Sequence, residues 1–297
     1  MRSIGRRDPK LDQICLSRSI TNTEFFAKWR IRHSGFNKKA LSDERCPSRV
    51  FLLMTTSIHQ LTSSSSRTTQ THAAMNIYQT TNGPCPYLPT GEWTTNVFFA
   101  ENITDKTYEN LLECGWRRSG TCFYYNTCSG CQRCIPLRVD VKHFSPNRSQ
   151  KRTLNRNHAI TIERIPTAFH APDYALYKKY CLSRHDQMPT EEGYNHFLVE
   201  SPLTTEIIRY RSGENLIALS WIDMLPASIS SVYCAYDPDY AQLSPGTLSI
   251  LLQIELCRTL QKPWLYLGFY VPESTKMNYK KNFLPCQGRI NHQWQDM

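Results

Sequence analysis

The sequence predicts an α/β layer, and three observations carry that prediction. Residues 216–225 and 231–236 are apolar runs joined by a turn at Pro226-Ala227-Ser228, the pattern of a hairpin. A helix-length stretch follows, with Ser244 as N-cap and Pro245 at the first helical position. Its apolar residues Leu248, Leu251, Ile254, Cys257 and Leu260 recur close to a 3.6-residue period. Residues 264–271 then read as a buried strand. Strand, strand, long helix and strand in that order make the helix a crossover packed on a sheet.

The first 74 residues are of another kind. They hold 13 Lys or Arg against 5 Asp or Glu and end in a Ser/Thr tract running from Thr62 to Thr69. Such a composition buries too little apolar surface to offset chain entropy, so disorder is expected there. Folded structure is expected in two parts, 75–165 and 166–297. In the first, residues 105–113 predict a helix stopped at Gly115, and 121–125 and 135–141 predict strands on either side of a cysteine turn. In the second, 174–184 predict a helix ahead of the hairpin, and 275–282 a short basic helix behind the last strand.

Composition excludes several classes. No apolar run approaches the roughly 18 residues of a membrane span, and no secretory signal opens the chain, so a cytoplasmic protein without a membrane partner is expected. The net charge of +10 is concentrated in the first 74 residues, and the remainder carries only +2. Dinucleotide, P-loop, nucleophile-elbow, zincin and kinase signatures are all absent.

Four local patterns carry chemistry. In Cys128-Ser-Gly-Cys131-Gln-Arg-Cys134, two-residue spacers let successive thiolates converge on one ion, with Cys85 or Cys122 as fourth ligand and zinc or an iron–sulfur cluster equally compatible. Reduced thiols in a turn are the alternative. The run that follows holds Arg133, Arg138, Lys142, Arg148, Lys151, Arg152 and Arg156 against Asp140 alone, which suits phosphate contacts or a solvated helix face. Gly115-Trp116-Arg117-Arg118-Ser119-Gly120 sets two guanidinium forks beside glycines, suited to a carboxylate, a phosphate or surface ion pairs. Finally, Tyr233-Cys-Ala-Tyr236-Asp237-Pro238-Asp239-Tyr240 puts acids and phenols at a strand end, where α/β proteins build sites.

Taken in order, these residues match one pattern. It comprises Cys85-Pro-Tyr87-Leu88-Pro89, Gly115 to Gly120, Tyr125 through the three cysteines to Arg138-Val139, and Phe144-Ser-Pro-Asn-Arg148-Ser149-Gln150-Lys151-Arg152 with Asn157. It continues through Tyr177 to Tyr180 with Arg184-His185, Asp237-Pro238-Asp239, Tyr266-Leu267-Gly268-Phe269-Tyr270 and Lys276-Met277-x-Tyr279-Lys280. The chain resembles the bacterial aspartate/glutamate leucyltransferases, relatives of the eukaryotic arginyl-tRNA–protein transferases, from about Cys85 to Trp294. Members begin shortly before the first motif, so the resemblance implies Met75 as the start. Trp116 stands where Phe is usual, Thr90-Gly91-Glu92 replaces Gly-Arg, Pro245 replaces Leu and Cys286 replaces Glu.

The resemblance implies an acetyltransferase-like (GNAT) fold of two interleaved halves. It implies transfer of leucine from Leu-tRNA to proteins beginning with Asp or Glu, which marks them for N-degron degradation. Partners are then aminoacyl-tRNA and acidic-ended proteins. The ester is already activated, so the chemistry requires no cofactor, and zinc or an iron–sulfur cluster on Cys85, Cys128, Cys131 and Cys134 is a structural expectation. Asp237, Tyr233 and Tyr266 are expected at the reaction. Arg117, Arg118, Arg138, Arg184 and His185 are expected on the acidic N-terminus, and Arg148, Lys151, Arg152, Arg156, Lys276 and Lys280 on tRNA. Lone Cys85, where the eukaryotic relatives carry a pair, favours leucine over arginine. A metal-dependent tRNA-binding module and a small-molecule acyltransferase remain as alternatives.

Overall fold

The structure is a computed structural model and describes residues 76–297. The extension 1–74 and the start at Met75 therefore lie outside the described residues. Two sheets are present among the described residues. The smaller has the order β1-β2-β4-β3, from Tyr78–Pro84 (β1), Glu92–Phe99 (β2), Arg117–Ser119 (β3) and Cys122–Asn126 (β4). Helix α1, Asp105–Glu113, lies between β2 and β3, capped by the Thr104 side chain on the Thr107 amide. Gly115 follows it with φ of +88°, the left-handed stop that the sequence predicts.

The larger sheet has eight strands. In chain order its elements begin with Ile135–Asp140 (β5), helix Arg148–Arg156 (α2), Thr161–Pro166 (β6), helix Ala171–His185 (α3) and the short helix Glu191–Tyr194 (α4). Then come Thr205–Ser212 (β7), Asn215–Met224 (β8), Ser228–Tyr236 (β9), helix Pro245–Thr259 (α5), Trp264–Tyr270 (β10), Cys286–Ile290 (β11) and Gln293–Asp296 (β12). The order across the sheet is β12-β11-β5-β10-β9-β8-β7-β6. The large sheet thus runs across the boundary expected at residue 165, because β5 pairs with β10 and β11 far along the chain. No helix among the described residues is long and apolar enough to cross a membrane.

Alternation along β7 and β8 explains why the sheet is covered on both faces. Ile208, Tyr210, Ala218 and Ile222 face α5, with Ile250, Leu251, Ile254 and Cys257 packed on them. Ile207, Leu219 and Trp221 face α3 and its Leu176, Tyr177 and Cys181. Leu260, expected on the apolar face of α5, is exposed, because the helix ends one residue earlier. Ser244 stands at the N-cap position of that helix, as predicted, with Pro245 following. It sits at φ of +55° just after a 3-10 turn, Pro238–Leu243, and its side chain makes no capping bond. The basic segment expected as a helix over 275–282 is only a 3-10 turn, Asn278–Asn282.

One irregularity positions everything that follows. β9 and β10 run parallel, but their pairing covers only Ser228 to Ser230 against Trp264 to Tyr266. Both strands continue, to Tyr236 and Tyr270, without pairing to each other. The sheet therefore opens into a split, and its start coincides with a bulge between Tyr266 and Gly268.

Candidate functional site

The split is bordered on one side by the C-terminal half of β9 and on the other by the 3-10 turn after β10. A register shift in β9, opposite Trp221 and Ile222, turns Tyr233 toward α3. There it packs against Tyr177, Phe197 and Trp221. Its hydroxyl lies 3.4 Å from Nε2 of His185, at the last turn of α3. Burial holds the His185 imidazole below its usual pKa, with the positive charges of Lys276 and Arg184 adding to the effect. Tyr180 stands edge-on to Tyr236 at 4.9 Å, and the exposed Arg184 donates to the Tyr236 hydroxyl while lying over its ring. Burial raises the phenols of Tyr180, Tyr233 and Tyr279, so all three are protonated donors. At the end of β9, Lys179 bridges Asp237 and Asp239 at 2.6 Å to each. Asp237 also accepts from the Asp239 amide, which starts the 3-10 turn.

Helix α2 joins the two lips of the split. A capping box between Asn147 and Gln150 starts it, and the Gln150 amide donates to Asn282 O at 3.1 Å, on the turn that carries Lys280. At its far end, Arg156 donates to Gln242 O and Asn157 to Leu243 O, on the turn that follows Asp237. The helix is thereby pinned at both ends while Arg148, Lys151, Arg152 and Arg156 stay exposed.

The structure thus brings together Tyr233, Asp237, Arg184, His185 and Lys276, with α2 tied to the turn that follows Asp237. It does not bring Tyr266. That residue sits opposite Ser230, seven residues before Asp237 on β9, or roughly 20 Å along the strand. Its hydroxyl donates to Glu113 Oε1 at 2.5 Å. Two arginines expected on an acidic substrate are spent internally. Arg118 is paired with Asp223 deep between the sheets. Arg138 is paired with Glu113 at 2.7 Å and stacked between Trp264 and Trp294. His185, kept neutral, is a poor partner for a carboxylate. Lys280, expected on tRNA, turns its amine inward to Leu267 O at 2.9 Å and Phe269 O at 3.3 Å. Arg117 enters the same split and donates to Ser231 O at 2.8 Å.

Sequence reasoning missed the counter-ions Asp223, Glu113 and Lys179. Asp223 stands 105 residues from Arg118, and no periodicity links them.

The four cysteines expected to bind metal are free and half-buried. They gather closely enough for each to act on the others: Cys128, Cys131 and Cys85 all raise the thiol pKa of Cys134, which burial pushes up to about 12. The Thr94 amide donates to Cys128 Sγ at 3.4 Å. Among the described residues, however, no three His, Cys, Asp or Glu side chains are arranged to hold a metal ion.

Residues 83–152 match the N-terminal model of the arginine-tRNA-protein transferases, and residues 172–289 match the C-terminal model. The aspartate/glutamate leucyltransferase of Thiobacillus denitrificans is 38% identical over 224 residues, covering 74% of this chain and 93% of that protein. The Nitrosospira multiformis enzyme of the same name is 37% identical, covering 75% and 91%. Among solved structures, L-PGS from Bacillus licheniformis aligns at a TM-score of 0.38 with 14% identity, over 59% of this chain and 52% of that one, too distant to assign a fold.

Proposed function

Since the chain belongs to the arginine-tRNA-protein transferase family, we propose that it moves leucine from Leu-tRNA to the N-terminal amine of proteins beginning with Asp or Glu. The observation that carries this reading is the split between β9 and β10, with a basic helix tied to both of its lips. The α2 cations and Lys276 take the acceptor stem. The ester-bearing end enters the split, and the acceptor amine meets it there. The same split supports the GNAT-like reading of the large sheet, in which a parallel pair parts beside the start of a crossover helix.

The ester is activated, so positioning does most of the work and contributes about 7–11 kcal/mol. The acceptor arrives as an ammonium and must lose a proton before it attacks. His185 suits that step, since its imidazole is neutral and the Tyr233 hydroxyl fixes the ring. The amine then attacks the ester carbonyl, and a protonated phenol such as Tyr279 can donate to the oxyanion. As the C–O bond breaks, the protonated His185 gives its proton to the leaving tRNA oxygen and takes the one the new amide nitrogen sheds. Asp237 anchors Lys179 at the mouth and holds the incoming chain end in register.

The four thiols are read as holders of a structural zinc ion or iron–sulfur cluster, through which no step of transfer passes. Metal analysis of purified protein, beside a Cys128→Ser, Cys134→Ser double variant, tests this reading. Charged tRNA makes the cytoplasm the place of action. The deciding experiment supplies labelled Leu-tRNA or Arg-tRNA with peptides beginning with Asp, Glu or Ala. Label passing from Leu-tRNA to the Asp and Glu peptides alone is the expected result. Transfer from Arg-tRNA moves the chain to the arginyl branch, and no transfer from either overturns the reading.

A further inference from the structure

The split between β9 and β10 contains two cations and, among the described residues, no carboxylate paired with either. Arg117 arrives from the small sheet. It is 7% exposed, and among the described residues Nη2 donates to the Ser231 carbonyl. Its guanidinium lies against Gly268, whose φ is +78° and where an added Cβ would stand 3.4 Å from Nη2. Lys280 enters from the opposite lip, and its amine takes the Leu267 and Phe269 carbonyls. β10 pairs Phe269 with Pro136, which has no amide hydrogen, so the Phe269 carbonyl is turned toward β9. The parallel ladder stops at Tyr266, and Lys280 satisfies the carbonyls that β9 no longer reaches.

Backbone carbonyls satisfy the hydrogen bonds of these cations but do not neutralise them. Arg118, Arg138 and Arg209 each have a carboxylate at Asp223, Glu113 and Asp173. Arg117 and Lys280 stand apart from that pattern. The neighbouring phenols of Tyr87, Tyr108 and Tyr124 offer no negative charge, because burial raises each of them. On the element that carries Lys280, Tyr279 is likewise protonated and Lys281 points to the Tyr270 ring. A buried guanidinium beside a half-buried amine, with no carboxylate paired to either among the described residues, is poised for an anion.

We infer that Arg117 and Lys280 together bind the side-chain carboxylate of the acceptor's N-terminal Asp or Glu. The inference rests on the transferase reading and names the specificity determinant of that site. Arg117 holds the Ser231 carbonyl, two residues before Tyr233 and about 7 Å away along β9. An acidic residue held at Arg117 therefore extends its amine toward the Tyr233 hydroxyl and His185. An amide or alkyl side chain in the same place leaves the Arg117 charge uncompensated and brings no proton to Lys280, and discrimination follows from that loss. Burial, reinforced by Arg117, lowers the Lys280 amine to about 7. A carboxylate arriving beside it draws a proton on.

The test compares wild type with Arg117→Gln and Lys280→Met on Leu-tRNA and peptides differing only in Asp or Asn at the first position. Wild type is expected to favour Asp by roughly 100-fold or more in kcat/KM, and each variant to lose about tenfold or more of that preference, with Kd for Leu-tRNA unchanged. Intact preference in both variants overturns the proposal. Weakened tRNA binding with intact preference also overturns it and returns Lys280 to the nucleic acid. A measurement on wild type alone guards against misfolded variants. Calorimetry near pH 7.5 in buffers of different ionisation enthalpy should show proton uptake with the Asp peptide beyond that with the Asn peptide. Equal uptake sinks the carboxylate site even if the variants fail to fold. Absent leucine transfer by wild type, beside Asp-dependent proton uptake, faults the transferase reading and leaves the carboxylate site standing.

Discussion

Arg118 Nε and Asp223 Oδ2 meet at 2.8 Å, the second half of a two-point pair closing through Nη2 and Oδ1, and the two side chains are 2% and 0% exposed. Thr205 bonds to both. The arginine stands on the small sheet and the aspartate on the large one, so the pair fastens one to the other. Removing a single partner leaves its opposite buried and charged. Arg118→Met or Asp223→Asn should lower unfolding free energy by about 3–5 kcal/mol in urea titrations. Any folded Arg118→Met protein should keep its preference for acidic N-termini. Loss of that preference at undiminished stability would return Arg118 to substrate recognition.

Lys280 makes stability depend on pH. Its folded pKa of about 7 lies below the ordinary lysine value, so between roughly pH 7 and 10 the unfolded chain binds more protons. Stability from this group therefore rises with pH across that window and is absent below it. Thermal unfolding of wild type should shift upward from pH 6.5 to 9, and Lys280→Met should flatten the rise. An unchanged slope in Lys280→Met would show that another group titrates.

The α2 cations should reveal themselves through salt. Arg148, Lys151 and Arg152 are exposed. Replacing each with Ala should weaken tRNA binding alike for all charged tRNAs and reduce the salt slope by about 0.7–0.9 for each phosphate no longer neutralised. Filter binding across a salt series reads this directly, and slopes identical to wild type would remove α2 from the interface.

His185 and Asp237 predict different kinetic signatures. The proton acceptor must be unprotonated, so kcat/KM should fall as pH drops through a value below the usual histidine range, set by burial, Lys276 and Arg184. His185→Gln should cut kcat by roughly 100-fold and abolish that acidic limb. Asp237→Asn should lower turnover with little change in Kd for tRNA. A His185→Gln enzyme with the wild-type profile would assign the proton elsewhere.

The fold was legible where periodicity is local and long. The hairpin, α5 and β10 follow from alternation and from a 3.6-residue repeat, and each stands within a few residues of its predicted bounds. β3 went unread because Arg117-Arg118-Ser119 is too short and too charged to look like a strand. It pairs with β4, and Arg118 in it finds Asp223 in another sheet. Much the same limit governed the site. Tyr233 and Asp237 stood out as a phenol and an acid at a strand end, and Arg184 and His185 through the family resemblance alone. The surroundings of Arg117, Arg138, Lys280 and Tyr266, by contrast, depend on partners over a hundred residues away, or on which way a strand edge faces. Sequence identified the cations, and the fold decided which of them are free.

Helix α2 holds one lip of the split through Asn282 and the other through Gln242 and Leu243. A brace fixed at both ends transmits load. If tRNA seats on this brace as proposed and that contact shifts the width of the gap, linkage requires the acceptor to alter the hold on tRNA by the same factor. Coupling between the two substrates would then run through nine residues.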